Sequence, residues 1–359
     1  MPRDQVALVF SKQAIACARL GSPLYGALLE RVARDIREGG PCADVLDGYG
    51  DLGETDALPL RLMGAVHALV LTGRAPELAE HYPSAGGVFD PGRPDAGWSA
   101  FLATVAAEPG WVREWLGRPP QTNEVGRAVL LLAGLLYAVP TAALPIRLFE
   151  LGSSAGLNLR AEQFRYQAPD FSWGNPDSAV KLDPVWKGEA PGWLTEGVRR
   201  HQALRIVERR GCDLTPIDPL SPDGALALRA YVWPDQAARV RRLDGALRIA
   251  AKVPATVGAA GAAEFLSGVR LEPGTMTVVW HSVMRQYVPD AEWALVEREL
   301  ERLAAASTAD AGFVHLSFEP RTVGELQRFA LSARLGRAPE EFLAFAAPHG
   351  LPAWSPGQD

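Results

Sequence analysis

Over roughly the first 145 positions, apolar residues recur at helical spacing and polar residues fill the gaps between them. From Pro23 to Glu38, Leu24, Leu28, Val32 and Ile36 stand four apart. Glu30, Arg31, Arg34 and Asp35 lie between them, and Gly39-Gly40 follow. That spacing predicts an amphipathic helix with a glycine stop. Leu58 to Thr72 predicts a second helix, opened by Pro59 and closed by Gly73. Ala75 to Pro94, rich in Pro, Gly and Asp, reads as loop. Trp98 to Leu116 predicts a third helical region, broken at Pro109-Gly110, and Asn123 to Tyr137 a fourth.

At Ile146 the pattern changes to short apolar runs alternating with amphipathic stretches, which predicts βαβ units and a parallel sheet. Strands are expected at Ile146–Leu151, ending at Gly211–Pro216, and at Pro254–Gly258, Met276–His281 and Gly312–Phe318. Helices are expected near Glu196–Arg210, at Asp235–Ala251 and at Asp290–Ala306. In the last of these Trp293, Val296, Leu300 and Leu303 share one face. Phe329, Leu331, Ala333 and Leu335 alternate at period two. A turn at Gly336–Pro339 follows, and Glu341–Ala346 runs back as the partner strand. The irregular stretch Tyr166–Trp193 reads as an insertion at about 166–195, with a small hairpin around Val180-Lys181-Leu182. The expected fold is α/β. It is a Rossmann-like, mostly parallel sheet with an antiparallel C-terminal hairpin over 146–359, preceded by a helical lid domain over 1–145.

Composition narrows the function. Of 359 residues, 48% are hydrophobic and 22% charged, the balance of a chain that folds throughout. With 36 basic against 42 acidic residues and no Lys/Arg block, no nucleic-acid partner is expected. Cys17, Cys42 and Cys212 are odd in number and widely spaced, so neither a disulfide framework nor a metal site is expected. Met-Pro-Arg-Asp at the start lacks the apolar stretch of a secretory signal, and a cytoplasmic location is expected. Ala128–Ile146 runs 19 residues without a charge, but Pro140 and Pro145 interrupt it. A buried helix leading into a buried strand is expected there, not a membrane span.

The chemistry centres on Glu150-Leu151-Gly152-Ser153-Ser154-Ala155-Gly156-Leu157-Asn158. A strand ending in a glycine-rich turn before a helix lets a ligand approach the backbone closely, and the helix start offers free N–H donors. This segment resembles the first motif of class I S-adenosylmethionine-dependent methyltransferases. There an acid two residues before the first glycine lies near the methionine part of the cofactor. Glu150, Gly152 and Gly156 match it, while Ser154 stands in place of the middle glycine. Gly211-Cys212-Asp213-Leu214-Thr215-Pro216 resembles the end of the family's second strand, whose acid grips the ribose hydroxyls. The resemblance makes Asp213 the ribose ligand and S-adenosylmethionine the cofactor, with Gly152, Ser153, Ser154, Gly156, Asn158 and Trp280 also around it. Asp213 lies farther from the first glycine than the usual ~20 residues; Asp183 is a weaker substitute. Ala260 stands where the family often has an acid contacting adenine.

Trp280, His281 and Ser282 end the fourth strand, where open α/β sheets bind ligands, and His281 can act as a base. The cluster Gln121–Arg127 precedes a very apolar helix. Thr122 or Asn123 can cap that helix, or Asn123, Glu124 and Arg127 can reach a small-molecule substrate. Arg165 and Tyr166 open the insertion and can cover a ligand. Trp233 can wall a pocket, and Asp235 can cap the helix after it. Glu124, Tyr166 and His281 are the catalytic candidates.

The same glycine turn also satisfies GxSxG. That pattern would make Ser154 a hydrolase nucleophile, with His281, His315 or His349 and an acid among Asp213, Asp218, Asp235 and Asp290 downstream. A third reading is a ligand-binding protein on the same fold without chemistry. Taken together, Gln121–Arg127, Gly152–Leu159, Phe164-Arg165-Tyr166, Tyr231–Gln236 with Arg239, and Pro348-His349-Gly350 resemble an uncharacterised bacterial family of about this length. The resemblance covers nearly the whole chain and implies an architecture without a known reaction or oligomeric state.

Overall fold

The computed structural model describes residues 2–50, 57–139, 144–323 and 326–358. Pro140, expected to break the apolar run, lies outside them. The chain divides into two compact units, Met1–Thr122 with Ser221–Arg241, and Asn123–Leu220 with Arg242–Asp359.

The first unit is helical. It contains α1 (Arg3–Arg19), α2 (Pro23–Glu38), α3 (Pro41–Leu46), α4 (Leu58–Leu71), α5 (Pro76–Ala79), α6 (Asp95–Ala107) and α7 (Pro109–Leu116). α2 takes the span its spacing predicted. The Ser22 hydroxyl accepts from the Tyr25 amide at its start, and Gly39 at φ +76 ends it. Phe10, Leu28, Val32, Leu62, Val66, Phe101 and Trp115 form its core. Asp235 does not cap the helix that follows it. Its carboxylate accepts instead from the Ser22 hydroxyl (2.6 Å) and the Leu24 amide (2.9 Å), tying the 231–236 loop to the start of α2.

The second unit opens with α8 (Ala128–Ala138), which is apolar on every side and therefore buried. That burial places 123–139 with the sheet, ahead of the expected boundary near 145. Then come β1 (Ile146–Leu151), β2 (Arg165–Gln167), β3 (Ser172–Trp173), β4 (Lys181–Leu182), α9 (Gly192–Arg200) and β5 (Ile206–Asp213). α10 (Pro222–Ala230) belongs to the first unit, and α11 (Ala237–Ala250) runs out of it. β6 (Thr256–Ala259), α12 (Ala262–Ser267), β7 (Thr275–Ser282), α13 (Asp290–Ala306), β8 (Ala311–Val323), β9 (Leu326–Leu335), β10 (Glu341–Ala346) and β11 (Ala353–Trp354) complete the chain. Among the described residues no helix is long and apolar enough to cross a membrane.

The main sheet has the order β11-β10-β9-β8-β7-β1-β5-β6. β6, β5, β1, β7 and β8 are parallel, and β9, β10 and β11 continue antiparallel. This is the expected mostly parallel sheet with an antiparallel C-terminal end, and its topology is Rossmann-like. Two local expectations fail. The helix foreseen to Arg210 stops at Arg200, because Ile206–Asp213 pairs with β1 and becomes β5. Lys181-Leu182 forms no hairpin of its own; it pairs in parallel with Arg165-Tyr166.

Alternation sorts the side chains between two faces. Phe149, Leu151 and Val279 pack with Trp293, Val296, Leu300 and Leu303 of α13. Glu150 is in register with Trp280, and Trp280 with Leu316, on the opposite face. There Leu316 abuts Gly134 of α8, so closely that a Cβ on that glycine would lie 2.8 Å away.

Candidate functional site

In chain order the parallel strands read third, second, first, fourth, fifth across the sheet, so the winding reverses between β1 and β7. The crevice outside the carboxyl ends of the strands at such a reversal is where open α/β sheets bind ligands. Glu150-Leu151-Gly152 ends β1 there, Trp280-His281-Ser282 ends β7, and Cys212-Asp213 ends β5.

The turn after β1 is held in left-handed conformations at Gly152 (φ +64), Ser154 (φ +52) and Gly156 (φ +64). Ser154 therefore occupies a backbone conformation in which glycine is at ease and serine is strained. Both the Ser153 amide (3.0 Å) and its hydroxyl (3.1 Å) donate to the Cys212 carbonyl. Gly211 makes room for that serine, since a Cβ there would lie 2.2 Å from the Ser153 hydroxyl. The Asp213 carboxylate accepts from the Ser154 amide (2.9 Å) through one oxygen and from the Thr215 amide (2.9 Å) through the other. The turn and Asp213, 59 positions apart in the chain, are thus in direct contact.

The Gln121–Arg127 cluster joins the same place, by bonds its helix-cap reading did not foresee. Asn123 Oδ1 accepts from the Leu157 amide (2.7 Å), and Asn158 Nδ2 donates to the Glu124 carbonyl (3.2 Å). The Glu124 carboxylate accepts from the Gly126 amide (3.0 Å) and lies 3.5 Å from His349 Nδ1. Arg127 donates to the carbonyls of Pro348 (3.2 Å) and Ser282 (3.4 Å), linking this segment to the end of β7. The backbones of 126–127 and 349–350 touch. A Cβ on Gly350 (φ +86) would lie 2.5 Å from the Arg127 Cα.

Glu150 is 3% exposed. Burial pushes its carboxyl up to about 8, and Asp213 adds to the rise; the Trp280 indole, Arg127 and Arg160 pull against it without cancelling it. Around the turn three buried polar atoms have no hydrogen-bond partner: Glu150 Oε2, Ser154 Oγ and Asn158 Oδ1. Buried polar groups are nearly always paired, so such a group of orphans calls for a partner from outside the chain.

The remaining candidates lie elsewhere. His281 is on the α13 face, opposite Glu150, edge-on to Trp293 (5.2 Å between ring centroids). Its Nδ1 lies 2.8 Å from Glu319 and its Nε2 3.1 Å from His315 Nε2. Facing a carboxylate, Nδ1 carries a proton. Burial, with His281 beside it, holds His315 well below the usual imidazole range. Tyr166 is fully buried and donates to the Ala161 carbonyl (2.7 Å), while Arg165 donates to the Gly174 carbonyl (2.8 Å). Arg165 braces the small β2–β3–β4 sheet, and Tyr166 ties it to the 157–163 segment. Trp233 is part of the helical core, between Tyr25 and Arg239. Ser154 Oγ, the nucleophile of a hydrolase reading, has no histidine on it. Sequence reasoning passed over Glu319 and Arg160. Glu319 had a signal, an acid at the carboxyl end of the fifth strand, whereas Arg160 had none. Among the described residues no group of three or more His, Cys, Asp or Glu side chains is placed to hold a metal ion.

The Rossmann-like topology is consistent with a cofactor-binding enzyme fold. A family described as an uncharacterized protein conserved in bacteria (DUF2332) matches residues 7–354. No curated protein and no solved structure matches the chain.

Proposed function

We propose that this chain, which belongs to that bacterial family, is an S-adenosylmethionine-dependent methyltransferase acting on a small molecule. The observation that carries the reading is the set of three orphaned buried polar atoms around the turn at the sheet's reversal point. The contact between that turn and Asp213 supports it. A carboxylate held in place by two backbone amides is positioned to meet ribose hydroxyls. Glu150, buried without an ionic partner at hydrogen-bond distance, suits the cationic methionine end of the cofactor, because a positive charge offsets its desolvation. Asn158 supplies an acceptor to the same crevice.

When bound, the cofactor supplies a sulfonium methyl group. The protein's share of the work is to align donor and acceptor, since effective molarity is the main source of acceleration for a direct displacement. Asn123, Glu124 and Arg127 are the residues proposed to bind the acceptor.

Titration calorimetry with S-adenosylmethionine and S-adenosylhomocysteine tests the reading. Binding of both is expected, with at least a tenfold loss in Asp213→Ala. Absence of heat and of any thermal shift at millimolar ligand would overturn it. Retained affinity without turnover on any extract would leave a binding protein on the same fold.

A further inference from the structure

The helical unit holds a separate arrangement of side chains with the geometry of a nucleophile and its base. We propose that Ser84, with His67 as its base, accepts acyl groups from small carboxylic esters and passes them to water. The proposal is independent of the methyltransferase reading.

His67 lies on α4 and is 1% exposed. Its Nδ1 is 3.0 Å from the Ala230 carbonyl oxygen. A carbonyl oxygen can only accept, so Nδ1 carries the ring proton and Nε2 presents a lone pair. That lone pair lies 2.7 Å from the Ser84 hydroxyl, which is therefore the donor. Serine, imidazole and an orienting acceptor follow one another as in other activated serines, with the Ala230 carbonyl in the place of a carboxylate. The ring is neutral, because burial lowers the imidazole to about 4.

Burial differs along this line in a useful sense. Ser84 is half-buried in the turn Pro83–Ala85, and Ala85, Gly86 and Val88 around it are exposed. The serine is thus partly exposed, and its base is dry beneath it. The Tyr82 ring lies against the imidazole (5.6 Å between centroids), and the Tyr82 hydroxyl is buried without a hydrogen-bond partner. The cluster therefore retains a donor that the fold does not use.

In the proposed step Ser84 Oγ bonds to the ester carbonyl carbon as its proton passes to His67 Nε2. The proton then goes to the departing alcohol oxygen as the ester C–O bond breaks. Water attacks the acyl-serine by the same proton path, releasing the carboxylic acid and restoring the serine. So weakly basic an imidazole is far from the best base at neutral pH, so turnover is slow and activated esters are the substrates that report it.

The full-length protein should be treated with a fluorophosphonate probe, and the labelled peptide mapped by mass spectrometry. Label on Ser84 is expected, together with slow p-nitrophenyl acetate hydrolysis that Ser84→Ala abolishes. In His67→Gln, if its circular dichroism shows a folded chain, labelling should fall at least tenfold. Absence of label, label on Ser154 or another serine, or undiminished labelling of folded His67→Gln would overturn the proposal. The mapping in the wild-type chain decides the matter even if the histidine variant does not fold.

Discussion

Replacing Glu150 with glutamine is expected to stabilise the protein, and to do so increasingly as pH rises. An unfolded glutamate ionises near 4.5, whereas the buried Glu150 holds its proton to about 8. Below 4.5 the residue is protonated in both states and favours neither. Between 4.5 and 8 the unfolded chain has lost the proton and the folded one keeps it, so stability falls by about 1.4 kcal/mol per pH unit. Over the whole window that amounts to roughly 5 kcal/mol. At 3% exposure, solvent does little to reduce it. Glutamine has the same shape and no charge to desolvate, so the variant lacks this slope. The assay is guanidinium unfolding of both proteins at pH 5, 6, 7 and 8. The gap between their unfolding free energies should widen with pH, and saturating S-adenosylmethionine should narrow it in the wild type. Parallel pH profiles would refute the reasoning, because they would mean that Glu150 ionises as easily folded as unfolded.

Three further perturbations probe the frame of the site. Ser154→Gly relieves a left-handed residue, a gain of roughly 1–2 kcal/mol, and restores unfolded-chain freedom worth roughly 0.5–1 kcal/mol. Thermal unfolding should show unchanged or slightly raised stability, while S-adenosylmethionine affinity falls with the loss of the unpaired hydroxyl; undiminished affinity would show that the ligand does not use it. Gly350→Ala adds a Cβ 2.5 Å from the Arg127 Cα at φ +86, and should cost more than about 2 kcal/mol in a denaturant titration. A neutral result would show that the 126–127 and 349–350 backbones are not in contact. Glu319→Ala removes the acceptor of both His281 Nδ1 (2.8 Å) and the Met284 amide (3.0 Å). A loss of about 2–4 kcal/mol by thermal unfolding is expected, and one below 1 kcal/mol would contradict the assignment.

Where a segment's spacing and its tertiary role agree, the sequence was enough to place it. α2 and α13 have apolar stripes, and Ile146–Leu151 and Glu341–Ala346 form the strands their short apolar runs and flanking turns suggested. α1 drew no reading, because its buried positions include small residues, Ala7, Ala14 and Cys17, that make a weak stripe. Ile206–Asp213 was read partly as helix because its strand character comes from pairing with β1, a long-range fact that local spacing does not carry. At the site, the glycine turn and Asp213 were legible because each has local wording. The sorting of Glu150 and His281 to opposite faces follows from alternation, yet which face meets α13 depends on packing. Trp233 and Tyr166 are both buried, and a large aromatic in a loop looks the same in sequence whether it lines a cleft, covers a ligand or fills a core.

A crystal structure of the protein grown with S-adenosylhomocysteine tests the central claim most directly. The ligand is predicted at the carboxyl ends of β1, β5 and β7, its ribose hydroxyls on the Asp213 carboxylate and its polar groups paired with Glu150, Ser154 and Asn158. Ligand bound elsewhere, or a crevice at saturating ligand in which only ordered water satisfies those atoms, would contradict it.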